Sequence, residues 1–211
     1  SNNVAIGDNA LYTSRGASQN TVMGAFAGYS VTTGTGVVGL GYKAGYANKG
    51  QGSWIAIGYE AMGGTPGTNE AAGEAIGYRS MYQAMDGASG TALGNSTLEN
   101  LVGDYTVGIG GESGRYASGS YNTFVGFSSG KGGTTSAPFS SGQYNTAVGY
   151  LALYSHTTSN SNVAVGYRAS YSTTTGTQNV AIGNNALYSN QENVYNVAIG
   201  TNALYSLAGS S

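Results

Sequence analysis

The string NVAIGxNALYS occurs twice between residues 179 and 206, with its glycines 17 positions apart. Aligned on the pattern small, aliphatic, Gly, the whole chain falls into twelve repeats anchored at Gly7, Gly24, Gly41, Gly58, Gly77, Gly94, Gly110, Gly126, Gly149, Gly166, Gly183 and Gly200. The spacings are 17, 17, 17, 19, 17, 16, 16, 23, 17, 17 and 17, so insertion is tolerated only between certain anchors and the variable stretch behaves as a loop. Two short extended segments and two turns are too little to fold alone, but each coil can stack its backbone on the next. The period therefore predicts an all-β fold, a parallel β-solenoid or β-roll of about twelve coils forming one repeat domain over residues 1–211. At ~4.8 Å per coil that is a rod on the order of 55–60 Å long.

Within each repeat the residue types are positional. A large apolar residue precedes every anchor (Ile6, Met23, Leu40, Ile57, Ile76, Leu93, Ile109, Val125, Val148, Val165, Ile182, Ile199), and this row is expected to face the core. The position before it is Ala in eight repeats, Gly39 and Gly108 in two, and Val22 and Phe124 in the others. A small apolar residue on the opposite strand face predicts close approach by another subunit there. Three residues after each anchor comes Ala, Ser or Thr, then often Leu, Met or Gly, then Tyr in eight repeats, which reads as a second short strand. The anchor glycine is explained by a positive φ or a contact too tight for a Cβ. Asn stands four before the anchor in seven repeats (Asn3, Asn20, Asn122, Asn145, Asn162, Asn179, Asn196), the pattern of an amide ladder capping each turn.

Composition narrows the function classes. The 211 residues include 37 Gly and 18 Tyr but only 8% charged residues, and a net charge of -2 with scattered Lys and Arg gives no footprint for nucleic acid or an anionic membrane. There is no Cys for disulfides or thiolate metal sites, and no apolar run long enough for direct membrane insertion. His156 is the single histidine, so no His-based metal site or triad is expected within one chain; it reads as a solvated turn residue. No cofactor and no enzymatic activity are expected. The chain opens in repeat frame without an initiator Met, and is taken as a piece of a longer fibre protein. A coil this thin encloses a core one or two side chains wide, which predicts a symmetric assembly, most economically a homotrimer continuing into adjoining fibre modules.

The segments NNVAIGDNAL, NTAVGYLAL, NVAVGYRAS, NVAIGNNAL and NVAIGTNAL carry a family likeness. They resemble the head repeats of trimeric autotransporter adhesins and the similar repeats of bacteriophage tail-fibre proteins. The resemblance covers nearly the whole chain, strongly at its two ends and more weakly between residues 59 and 144. It implies a left-handed parallel β-roll, three chains winding into one trimer, and adhesion to a surface. The longer repeat and the ALYS ending favour the phage branch, hence a virion fibre contacting a host-surface glycan or protein. A bacterial surface adhesin, a head-to-tail filament subunit and a polysaccharide-degrading enzyme are the alternatives.

Candidate contacts follow from the pattern. Tyr12, Tyr29, Tyr46, Tyr82, Tyr154, Tyr171, Tyr188 and Tyr205 share one repeat position. Stacked in register they form ladders that either bind sugar rings or pack neighbouring coils. The longest insertion, FSSGKGGTTSAPFSSGQY, carries Lys131 and Phe139, the latter expected to be exposed, and long loops on a rigid scaffold concentrate binding. A second insertion, GGTPGTNEAAG, is a weaker version of the same argument. Seven acidic residues lie between Glu60 and Glu112 (Glu60, Glu70, Glu74, Asp86, Glu99, Asp104, Glu112). Glycosidase chemistry needs carboxylates ~5–5.5 or ~6.5–9.5 Å apart, whereas Glu60 and Glu112 share a repeat position but stand three coils and about 14 Å apart, and Glu99 and Glu112, in adjacent coils, hold different positions. The Thr tracts VTTGTG and STTTGTQ do not recur at one position, which argues against a flat ice-binding array.

Overall fold

The computed structural model describes residues 2–49, 52–64, 72–84, 88–136 and 139–206. Their twelve strands are β1 (Val4–Ile6), β2 (Thr21–Met23), β3 (Val38–Leu40), β4 (Trp54–Ile57), β5 (Ala72–Ile76), β6 (Ser89–Leu93), β7 (Thr106–Ile109), β8 (Thr123–Val125), β9 (Thr146–Val148), β10 (Val163–Val165), β11 (Val180–Ile182) and β12 (Val197–Ile199). Every strand ends on the residue before an anchor glycine, so each repeat is one coil of a parallel β-solenoid. Contacts divide the chain into two compact units, Ser1–Asp104 with β1–β6 and Tyr105–Ser211 with β7–β12. Inside each unit consecutive strands pair in parallel, joining like positions: Ala147, Ala164, Ala181 and Ala198 form one row. The 23-residue spacing between Gly126 and Gly149 leaves this register intact, with Thr123 opposite Thr146 and Val125 opposite Val148. Described residues of the insertion bond to the neighbouring coils, Gly133 donating to the His156 carbonyl at 2.7 Å and Ser140 to that of Tyr116 at 3.0 Å.

The strand faces are the reverse of the sequence expectation. The small-residue row points inward and is fully buried at Val22, Ala56, Ala75, Phe124, Ala147, Ala164 and Ala181. Much of the large aliphatic row points outward, with Ile6, Met23, Ile76, Leu93, Ile109, Val148, Ile182 and Ile199 exposed. The reason is volume: opposite this row the coil interior is already filled by Leu or Met four residues after the anchor, such as Met62, Met81, Leu98, Leu153 and Leu187. Where the inner row is large, its partner shrinks. Phe124 occupies the space that a Cβ on Gly130 would need; separately, the indole of Trp54, four residues before its anchor, fills the space beside Gly45 of the preceding coil.

The second segment is a turn rather than a strand. Residues two and four after the anchor have positive φ (Leu151 56°, Leu153 51°; Arg168 52°, Ser170 50°), left-handed values that no non-glycine residue of the twelve strands has. This alternation aims successive N–H groups at opposite neighbours: Arg168 donates back to the Tyr150 carbonyl at 2.9 Å, while Leu153 donates forward to that of Ala169 at 2.9 Å. The hydrogen bonds to both adjacent coils hold L-residues in a conformation that costs of order 1–3 kcal/mol each when unsupported.

Anchor glycines meet both expected demands. Gly166 has φ 131°, and a Cβ there would lie 2.5 Å from the Gly183 carbonyl oxygen; Gly7, Gly24, Gly58, Gly149 and Gly183 stand in the same relation to the next coil. The asparagines form a continuous buried ladder in the second unit. The backbone N–H groups of Asn145, Asn162, Asn179 and Asn196 donate to the Oδ1 of Asn122, Asn145, Asn162 and Asn179 at 2.9, 3.0, 3.0 and 3.0 Å. In the first unit Asn3 and Asn20 do the same, and Asn20 Oδ1 receives the Val37 N–H.

His156 is not solvated. It lies seven residues after its anchor, in a column that also holds the buried Val31, Leu101 and Ala117, and its ring packs 5.5 Å from that of Phe124. Burial lowers its pKa to about 4; the Leu153 backbone favours the charged form, but among the described residues no group meets hydrogen-bond geometry with either ring nitrogen. Glu70, Asp86, Pro138 and residues 65–71 of the shorter insertion lie outside the described residues.

Candidate functional site

Three columns run side by side along the coil surface in each unit, at one, two and five residues after the anchor. The middle column has positive φ, which places its side chains between the two flanking ones. Phe26 shows the arrangement: its ring lies 6.3 Å from Tyr42 on one side and 6.2 Å from Tyr46 on the other.

In the first unit one rail is Tyr42, Tyr59 and Tyr78, with centroids 5.2 and 5.5 Å apart, and the other contains Tyr12, Tyr29 and Tyr46 at 5.3 and 5.1 Å. Between them stand Lys43, Glu60 and Arg79. Lys43 is 5.3 Å from the Tyr42 and Tyr46 ring centroids; burial works against its charge, but Tyr42 and Glu60 outweigh this and its pKa is raised. The Arg79 guanidinium lies 4.1 Å over Tyr82 and is paired with Glu60 at 3.8 Å and Glu99 at 3.2 Å. Glu74, on the sheet face, accepts from the Thr91 hydroxyl at 2.9 Å.

In the second unit Tyr154, Tyr171, Tyr188 and Tyr205 form an unbroken stack, with centroids 5.1, 5.1 and 5.0 Å apart and planes within 5°. Burial and the neighbouring phenols Tyr154 and Tyr188 raise the Tyr171 pKa. At this separation each ring covers its neighbour's face, so a ligand meets ring edges and hydroxyls along the stack. Lys131 continues the column, its ammonium 5.5 Å from the Tyr154 centroid. The parallel rail is Phe127, Tyr150 and Tyr167, at 5.8 and 5.5 Å.

The long insertion is drawn onto this surface. Phe139 is half-buried rather than exposed, stacked 6.4 Å from Tyr116, whose ring also lies 5.8 Å from Lys131. Lys131 and Arg115 both bind Glu112, at 2.7 and 2.8 Å, and Ser128 donates to it at 3.2 Å. Burial opposes the Glu112 charge, but the Lys131 hydrogen bond and its charge outweigh it and hold the carboxyl below its ordinary pKa; Glu112 in turn raises Lys131 against the effect of burial. Lys131, Phe139 and Tyr154 thus come together around Tyr116 and Glu112.

Glu60, Glu99 and Glu112 are all held in ion pairs with bases on the same surface. Sequence reasoning missed the Tyr42 and Tyr150 rails and the role of the middle column. Their signal was the Gly-Tyr dipeptide after the anchor at Tyr42, Tyr59, Tyr78, Tyr150 and Tyr167. Among the described residues no group of three or more His, Asp or Glu could hold a metal ion, and no helix is long and apolar enough to cross a membrane. No protein-family model, curated protein or solved structure matches this chain.

Proposed function

We propose that this chain is a non-enzymatic fibre module, a homotrimer that serves as shaft and host-surface attachment segment of a phage tail or capsid fibre. The observation that carries the reading is the outward face of the sheets. Met23, Ile76 and Leu93 in the first unit, and Ile182, Val197 and Ile199 in the second, are exposed although their strands already bury an apolar residue on the inner face. Contiguous apolar rows on a sheet surface mark an association site, and a closed cyclic arrangement of copies covers them without leaving a free apolar edge. The interface thus belongs to the aliphatic row, not to the alanine row that the sequence suggested. The aromatic and charged columns are the part of the coil available for contact with cell-surface glycans, and the likeness of the repeats to tail-fibre sequences supports the phage setting over a bacterial surface adhesin.

Sedimentation at several concentrations tests the assembly. A constant mass of three chains is expected, and Ile182→Glu should dissociate it while leaving the β-sheet circular dichroism intact. A monomer at all concentrations refutes the trimer, and an open-ended polymer moves the reading to a structural filament. Attachment is tested by binding of the purified chain to host cells and their extracted glycans, with intact glycan recovered after incubation.

A further inference from the structure

Two coils carry the same dipeptide after the anchor, Tyr78-Arg79 and Tyr167-Arg168. In both the tyrosine stacks on the ring of the coil before it, Tyr59 or Tyr150, at 5.5 Å, and the next coil presents an asparagine, Asn95 or Asn184, instead of a further ring. The arginines differ in their partners. Arg79 is closed by two carboxylates, Glu60 from the preceding coil and Glu99 from the following one. At the corresponding positions around Arg168 stand Leu151 and Tyr188, and among the described residues no carboxylate pairs with it. Its guanidinium lies 5.1 Å from the Tyr167 centroid and 5.6 Å from that of Tyr171, and its buried Nε, like that of Arg79, has no hydrogen-bond partner among the described residues. The other bases of this unit, Arg115 and Lys131, are both engaged by Glu112.

A guanidinium flanked by rings and partly withdrawn from water gains most from a carboxylate, which it can bind through two parallel hydrogen bonds. The first unit supplies that carboxylate internally; the second supplies none among the described residues. Beside Arg168 lie the phenols of Tyr167 and Tyr171, and the next coil brings the amides of Asn184 and Asn185, a rim suited to a ring with apolar C–H faces and several hydroxyls. An acidic peptide would bring several charges to a single cation.

We propose that Arg168 is the centre of a subsite for an acidic sugar of the uronate type. Its carboxylate pairs with the Arg168 guanidinium as Glu60 and Glu99 pair with Arg79, its ring lies beside Tyr167 and Tyr171, and its hydroxyls reach Asn184 and Asn185. This rests on the reading that the chain attaches to surface glycans, and specifies which glycans it selects.

The test is calorimetric titration of the full chain with oligogalacturonate and with its methyl ester, alongside Arg168→Gln and Leu151→Glu. The second variant keeps the arginine but supplies the carboxylate from the preceding coil, as Glu60 does. The acid is expected to bind at least tenfold tighter than the ester, and both variants, melting as the parent does, should lose at least tenfold. Equal affinity for acid and ester, no binding of the acid by the parent, or parent-like binding by both variants overturns the subsite. Neutral glycans bound equally by all three proteins would leave attachment standing and remove the subsite. Uronate binding lost in both variants, by a chain that binds no cell or capsule, would uphold the subsite and remove the attachment reading.

Discussion

Asn162→Ala asks whether the solenoid is held by its amide ladder or by coil shape alone. Asn162 Oδ1 accepts from the Asn179 backbone at 3.0 Å and from Asn179 Nδ2 at 3.1 Å, while its Nδ2 donates to the Gly176 carbonyl at 2.9 Å and to Asn145 Oδ1 at 3.2 Å. Two of these partners have a second bond: Asn179 Nδ2 still reaches the Asn193 carbonyl at 2.8 Å, and Asn145 Oδ1 still receives the backbone N–H of residue 162 at 3.0 Å. Alanine therefore strands the Asn179 N–H and leaves the Gly176 carbonyl without its side-chain donor. At ~1–3 kcal/mol for each buried group left unpaired, the loss is about 2–6 kcal/mol, a large share of the stability of an ordinary domain. Urea unfolding followed by circular dichroism reads the stability, and hydrogen exchange reads the Asn179 amide directly. Asn202→Ala is the control, since Asn202 is exposed and its Oδ1 accepts only from Asn185 Nδ2, at 3.3 Å; it should stay within ~0.5 kcal/mol of the parent. An Asn162→Ala protein as stable as the control, with residue 179 still protected, would refute the ladder as a source of stability.

Gly166→Ala places a Cβ 2.5 Å from the Gly183 oxygen at φ 131°, and should cost at least ~2 kcal/mol in a thermal melt, from backbone strain and displacement of the neighbouring coil. Ala181→Leu, on the filled inner face, should cost ~1–3 kcal/mol by overpacking; an unchanged melting temperature would count against the inward assignment of that row. For His156 the native pKa is about 4 against 6.5, so below pH 6.5 the unfolded state takes up a proton that the native state refuses. Stability therefore falls as pH drops from about 6.5 toward 4, by about 3 kcal/mol in all, and levels off below. His156→Leu, the residue type the column carries at Leu101, should flatten that window without loss at pH 7, as read from denaturation midpoints across pH.

The period, the anchor glycines and the asparagine ladder were legible because each depends on one residue type recurring at one place. The strand faces were not. Both rows are apolar, and the habit of placing the larger side chain inside fails where Leu153 and Leu187 already fill the coil and leave room only for Ala164 and Ala181. The alternating backbone after the anchor was hidden as well: Leu151 and Leu153 have no intrinsic taste for positive φ, and hydrogen bonds to both adjacent coils impose it. His156 could have been placed by aligning the seventh residue after each anchor, where Val31 and Leu101 betray an interior column. Arg168 escaped notice because its column has no consensus; its meaning comes from comparison with Arg79, whose carboxylate partners sit in other coils.

Because every bond between neighbouring coils runs along the stacking direction, a tether built this way has a distinct mechanical character. Pulled from its last coil, the second unit would surrender one repeat at a time, each losing its strand pairing, its asparagine link and its tyrosine stack together. A released repeat of 17 residues spans up to ~60 Å as extended chain, where it occupied ~4.8 Å in the stack. A pulling load would thus be met by stepwise lengthening, each step dissipating work before the next coil is loaded.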